Sequence, residues 1–119
     1  MTENSKRYDL EDRTQAFAVE ARVFVRKIPR TLANIEDSKQ LIRASGSIGA
    51  NYIEANEALG KKDFFLRVKI CRKEAKEARY WVRLIDTNND VNLDEKRQAL
   101  IKESTELMNI FGAILRKGQ

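Results

Sequence analysis

Histidine is absent from this chain of 119 residues. With it goes the side chain on which much acid–base catalysis and transition-metal binding depends. A dinuclear metal site in a helical bundle needs Glu-x-x-His on two of its helices. That motif cannot be written here, so no metal and no cofactor is expected. Cysteine occurs once, at Cys71, which excludes an internal disulfide. With no histidine to activate it and apolar neighbours at helical spacing, that thiol reads as inert core. No window approaches about 18 uninterrupted apolar residues, so no membrane span is expected. No basic start leads into an apolar run as in a signal peptide, and the expected compartment is the cytoplasm. There is no Gly-x-x-x-x-Gly-Lys-Ser/Thr loop and no Gly-x-Ser-x-Gly elbow. No catalytic residue is assigned, and no enzymatic activity is expected.

One proline and five glycines leave few helix breakers, while 42% hydrophobic and 34% charged residues suit a helix-rich globular domain. Residues 1–8, Met1 to Tyr8, are polar and unpatterned and read as a loose N-terminal arm. Residues 9–117 read as a single domain of four helices, about 9–28, 34–59, 61–87 and 92–117. In the first, Leu10, Thr14, Phe17, Ala21, Phe24 and Ile28 recur at alternating spacings of four and three, the mark of one buried helix face. Asp9 is its expected N-cap, and Pro29 ends it. The second repeats Leu41, Ser45, Ile48, Tyr52, Ala55 and Leu59, with Asn34 as expected N-cap and Gly60 as stop. The third carries Phe64, Val68, Cys71, Ala75, Ala78, Val82 and Ile85. After the turn-prone Asn88, Asn89 and Asp90, Asn92 and Glu95 match a capping box opening the fourth helix. Its seam is Leu93, Arg97, Leu100, Ser104, Leu107, Phe111 and Ile114, and Gly118 ends it. Short turns between such helices make neighbours antiparallel, which predicts an all-α, up-and-down antiparallel four-helix bundle.

The stretch from Ala44 to Ala50 holds two glycines and two serines inside the second helix. Glycine there costs about 1 kcal/mol against alanine. Close approach of another helix, within the bundle or between subunits, would compensate. Two apolar rows lie beyond the seams: Ala16, Val19 and Val23 on the first helix, and Ile101, Met108 and Leu115 on the fourth. They are either the margin of a wide core or a subunit interface, and the surplus favours a homo-oligomer.

Net charge is +5, and residues 61–86 alone hold nine basic against four acidic residues, so the excess is local. Lys69, Arg72, Lys76, Arg79 and Arg83 follow at spacings of three and four and share one stripe of the third helix. Arg22, Arg26 and Arg30 make a weaker row on the first helix. If both rows face one way, they could hold an RNA or DNA backbone, with little sequence preference. The plain alternative is a solvated face on which Glu74 and Glu77 pair with some of these cations. Tyr80 and Trp81, inside the basic stretch, could stack on unpaired bases or simply belong to a core or interface.

Leu41-Ile42-Arg43-Ala44-Ser45-Gly46-Ser47-Ile48-Gly49-Ala50-Asn51-Tyr52-Ile53-Glu54-Ala55, then Lys62-Asp63-Phe64, then Glu74-Ala75-Lys76-Glu77-Ala78-Arg79-Tyr80-Trp81, carry a resemblance. They resemble a bacterial four-helix-bundle family that includes proteins encoded in intervening sequences of 23S rRNA genes, also called S23 ribosomal proteins. The same family takes in the accessory variability determinant of diversity-generating retroelements. The resemblance implies a bundle assembled as a homo-oligomeric ring, a homopentamer, with a basic surface turned to nucleic acid and no enzymatic activity. Carried over by position, Arg43, Ser47, Asn51, Glu54, Glu74 and Glu77 look like a shared structural network at helix contacts, and Arg79 belongs to the same signature. Ala55, where many members have glycine, and Gly60-Lys61, in place of a serine-containing turn, are the departures. Two functions follow as expectations: a non-catalytic nucleic-acid-binding oligomer, or an oligomeric scaffold for a protein partner such as a reverse transcriptase.

Overall fold

In a computed structural model of the chain, the four periodic stretches are helices: α1 Thr2–Lys27, α2 Leu32–Asn56, α3 Lys61–Leu84 and α4 Val91–Lys117. The structure describes the backbone of residues 2–118 and the side chains of residues 10–118. Each helix packs on its sequence neighbour, and α4 returns to α1, while among the described residues the backbones of the diagonal pairs stay apart and only side chains meet across the centre. The bundle is thus a closed square running up, down, up, down. Most of the apolar seam becomes its interior: Phe17, Ala21 and Phe24 of α1, Leu41 and Ile48 of α2, Val68, Cys71, Ala75, Ala78 and Val82 of α3, and Leu107 and Phe111 of α4 are fully or almost fully buried. Tyr52 and Phe111 meet across the core at 5.9 Å between ring centroids.

Seam positions held by hydroxyl residues are buried too, and each satisfies itself locally. Thr14 donates to the Glu11 carbonyl, Ser45 to Ile42 and Ser104 to Ile101. A small side chain that bonds back to its own helix costs little and lets the partner helix come close. Gly49 shows how close: a Cβ there would stand 2.9 Å from Thr14 Oγ1 and 3.3 Å from Thr14 Cβ. The approach of α1 to α2 is therefore the compensation for glycine in the middle of α2, and it lies within the bundle.

Several helix boundaries differ from the sequence reading. The backbone is helical from Thr2, so the stretch read as an arm belongs to α1, apart from Met1, which lies outside the described residues. Residues 2–9 contain neither proline nor glycine, and a formed helix propagates through such a stretch without a new nucleus. Thr31, not Asn34, caps α2, its hydroxyl accepting from the Asn34 amide at 3.1 Å. α2 stops at Asn56, because residues 57–60 are needed to reverse the chain and Gly60 takes the extended cap position of α3. Leu59, assigned to the seam, is consequently fully exposed. α3 ends at Leu84, and Asp90, not Asn92, caps α4 by accepting from the Leu93 amide at 3.0 Å. Asn88 and Asn89, with φ of 57° and 62°, supply the left-handed turn between them.

The Asn34 side chain ties the two turns at this end together. It donates to the Pro29 carbonyl at 2.9 Å and the Asp86 carbonyl at 2.8 Å, and accepts from the Asp86 amide at 2.9 Å. Arg97, a seam position that cannot be buried as a bare charge, donates to the Ile85 carbonyl at 2.6 Å and to Asp94 at 3.1 Å. At the middle of the molecule Arg43 bridges α2 to α3. Its guanidinium donates to Glu77 at 2.9 Å and stands 3.4 Å from both oxygens of the buried Glu74 carboxylate. Only Glu74 Oε2 receives a hydrogen bond in acceptable geometry, leaving Oε1 held by charge alone. Hydrogen bonding to Glu74 and the two negative charges raise the Arg43 pKa. On the opposite side Arg13 joins α1 to α4 through Glu103 at 2.7 Å and Glu106 at 3.2 Å.

Two predictions follow from these contacts. Arg43→Ala strands the Glu74 carboxylate at the α2/α3 contact and should cost about 1–2 kcal/mol in urea unfolding, reduced because Arg43 is half exposed. Adding Glu74→Gln should restore part of the loss; a double variant no better than the single would show that the charge is not what was stranded. Cys71 is buried and donates to the Ile48 carbonyl, and burial pushes its pKa up to about 12 from 9.0. The folded state keeps this proton where the unfolded state has lost it, so the thiol's contribution to stability falls as pH rises from 9.0 towards 12. That decline should disappear in Cys71→Ala, and the native thiol should resist alkylation until the bundle unfolds.

Candidate nucleic-acid interface

The third helix turns its apolar face inward, and the basic stripe therefore emerges along its outer flank beside α4. Lys69, Arg72, Lys76 and Arg83 are exposed. Arg79, between them, is half-buried and donates to Thr105 Oγ1 of α4 at 3.1 Å, so this member of the stripe also closes a helix contact. At 1.5 Å per residue the stripe runs about 21 Å.

What surrounds these cations decides their character. Glu74 and Glu77 are the acidic residues nearest in sequence, but they lie on the opposite flank of α3, where Arg43 of α2 takes both. Asp86 lies beyond the end of α3, and its carboxylate accepts from the Asn88 amide. Among the described residues no carboxylate forms an ion pair with Lys69, Arg72, Lys76 or Arg83. The stripe is not a self-neutralised helix face.

The second basic row does not join it. Arg22 and Arg26 stand on α1, diagonally across the bundle from α3. Arg22 bends back along its own helix, donating to the Ala18 carbonyl at 2.9 Å, while its other terminal nitrogen lies on the α2 side, 3.5 Å from where a Cβ on Gly46 would be. Helix periodicity places residues within one helix and says nothing about which helices share a side. A residue absent from the sequence reading does join the stripe: Arg116 of α4 lies over Gly112, beside Arg72. Its signal is tertiary, since 44 residues separate it from Arg72.

The paired aromatics divide. Tyr80 is 56% exposed and borders the lysines, whereas Trp81 packs partly buried against the core, the two rings meeting edge to face at 5.0 Å. Tyr80 is thus the one of the two available for stacking. Of the structural network, Arg43, Glu74 and Glu77 form one cluster. Ser47 and Asn51 form another, in which Asn51 donates to the Ser47 carbonyl at 2.9 Å and accepts from Arg67 at 3.0 Å. Glu54 is exposed and joins neither.

A second feature lies on the next seam round the bundle. The α1/α4 seam is the loosest of the four and leaves a groove of about 900 Å³. Ala16, Phe17, Val23, Leu93, Ala99 and Leu100 give it an apolar lining, with Glu20, Lys27, Glu95, Lys96 and Glu103 among them. Of the two surplus apolar rows, Ile101, Met108 and Leu115 pack against the core and are its margin. Ala16 and Val23 line the groove instead, and Val19 beside them is 50% exposed. Among the described residues no three acidic or thiol side chains gather as metal ligands, and no helix is long and apolar enough to cross a membrane.

Comparison with known proteins agrees with this architecture. A crystal structure of a protein of unknown function from the S23 ribosomal protein family of Bacteroides thetaiotaomicron VPI-5482 superposes with a TM-score of 0.73 at 30% identity, covering 88% of this chain and 96% of that one. No curated protein matches the chain. Residues 6–113 match the sequence profile of the 23S rRNA-intervening sequence protein family. That span takes in all but the ends of the bundle, and the chain belongs to the family of 23S rRNA-intervening sequence proteins.

Proposed function

We propose that this protein is a non-catalytic, oligomeric RNA-binding bundle that holds nucleic-acid backbone along the outer flank of α3. The observation that carries this reading is that, among the described residues, no carboxylate pairs with the stripe. Four exposed cations lie along α3, while the two carboxylates that could neutralise them are held by Arg43 on the other flank. A surface so arranged attracts a polyanion and releases its condensed cations on binding. Contacts to phosphate carry no sequence information, so affinity should depend weakly on sequence, and Tyr80 can add stacking on an unpaired base. A single buried thiol and the absence of a disulfide suit a reducing compartment such as the cytoplasm.

The α1/α4 groove favours a second reading, in which the bundle works as an oligomeric scaffold for a protein partner such as a reverse transcriptase. The two readings are compatible if the groove carries self-association, as a homopentameric ring or another closed assembly, and leaves α3 facing outward. Exposed Val19 beside an apolar groove is the surface such contacts use.

Fluorescence anisotropy against single-stranded RNA should show binding that weakens with salt, with a log–log slope of about −0.7 per phosphate contacted. Replacing Arg72, Lys76 and Arg83 together by glutamate should abolish it while leaving helix content and assembly unchanged; retained affinity would shift the assignment to the scaffold. Separately, Val19→Glu with Ala16→Glu should reduce the molar mass seen by light scattering to that of a monomer. An unchanged mass would remove this face from the assembly.

A further inference from the structure

We infer that Arg72 of α3 and Arg116 of α4 form a two-pronged seat for a phosphate group over the bare backbone of Gly112. The inference rests on the RNA-binding reading only for the origin of the phosphate, since the seat itself is a property of the two arginines. A Cβ on Gly112 would stand 3.4 Å from Arg116 Nη1 and 3.9 Å from Arg72 Nε. The two guanidinium nitrogens are therefore no farther apart than those distances laid end to end. Gly112 itself is buried inside α4.

Two like charges this near repel each other, weakly where water and salt reach them, and an anion between them would turn the repulsion into attraction. Neither arginine has an acidic residue three or four positions away in its own helix: the neighbours are Val68, Lys69, Ala75 and Lys76 for Arg72, and Gly112 and Ala113 for Arg116. Among the described residues neither takes part in an ion pair. Arg116 lies in the last turn of α4, where a cation favours the helix dipole. Its guanidinium lies back over Gly112, the usual direction of a long helical side chain, and this brings it to the flank that carries Arg72. With no side chain at 112, both guanidinium groups lie over the open α4 backbone there, within van der Waals reach of where a Cβ would stand. Guanidinium forks from two helices suit the oxygens of one phosphate better than two ammonium groups would. The seat would take a phosphate from the stripe on α3 across to α4, giving the bound strand a direction off the helix.

The experiment follows the Gly112 amide by NMR during titration with inorganic phosphate at constant ionic strength, and measures single-stranded RNA affinity in parallel. In the wild-type protein phosphate should shift the Gly112 signal, and either Arg72→Gln or Arg116→Gln should abolish the shift. Each should also weaken RNA binding about tenfold, the size of one lost charge-assisted contact. The double variant should be far less than a hundredfold weaker, because the two arginines hold one group. Arg116→Lys, which keeps the charge and loses the fork, should recover only part of the affinity. If Arg116→Gln binds RNA as the wild type does, or the two effects multiply fully, the seat is overturned while RNA binding stands. If phosphate shifts Gly112 in the wild type alone and RNA does not bind, the seat stands and the RNA reading falls. A Gly112 signal indifferent to phosphate in the wild type overturns the seat.

Discussion

Arg43 does two things with one guanidinium. By reaching Glu74 and Glu77 it fastens α2 to α3, the most extensively packed pair of helices, and allows a carboxylate to be buried in their contact. By the same act it withdraws both acids from the cations on the outer flank of α3. A bundle built with Glu74 and Glu77 facing Lys76 and Arg72 would have a neutral third helix and a weaker grip on the second. Fold and surface potential are therefore coupled through one residue, and neither can be changed there without the other. Besides whatever stability it contributes, the bridge leaves the stripe unscreened by Glu74 and Glu77.

The fold was legible because the seam repeats without interruption. Phe17, Ala21, Phe24, Ile48, Val68, Cys71, Val82, Leu107 and Phe111 were all readable from spacing and are all interior. Even Thr14, Ser45 and Ser104 obeyed it, since a hydroxyl bonded to its own helix behaves as a small core residue. Helix ends were less legible. Asn34 has the composition of a cap but is engaged by the opposite turn, and Thr31 caps in its place. A capping residue is defined by the backbone beside it, and a composition rule cannot see a partner 52 residues away. The candidate site was half legible for the same reason. Periodicity gathers the cations of α3 into a stripe but cannot put Arg22 on the wrong diagonal or bring Arg116 to Arg72, because both facts belong to how four helices are arranged.

The four seams of the square are not equivalent. α1 meets α2 closely through Gly49, and α3 meets α4 through Gly112, Arg79 and Thr105. Between α1 and α4 the ion pairs of Arg13 hold one level, and the groove opens where larger side chains or a partner would otherwise fill space. The basic flank and the groove lie on different seams that share α4.

The clasp made by Asn34 also makes the two ends of the bundle unequal. At its own end, two turns are bound to each other through a buried amide whose hydrogen bonds go to backbone groups on both sides. At the other end the turn at residues 57–60 exposes Leu59, and Gly60 caps α3 without a side-chain bond. There Asn56 of α2 donates to Glu11 Oε2 of α1 at 2.7 Å, a tie between helices and not between turns. A clasp of turn to turn thus exists only at the Asn34 end among the described residues, and the turn at residues 57–60 is where local opening is expected to begin.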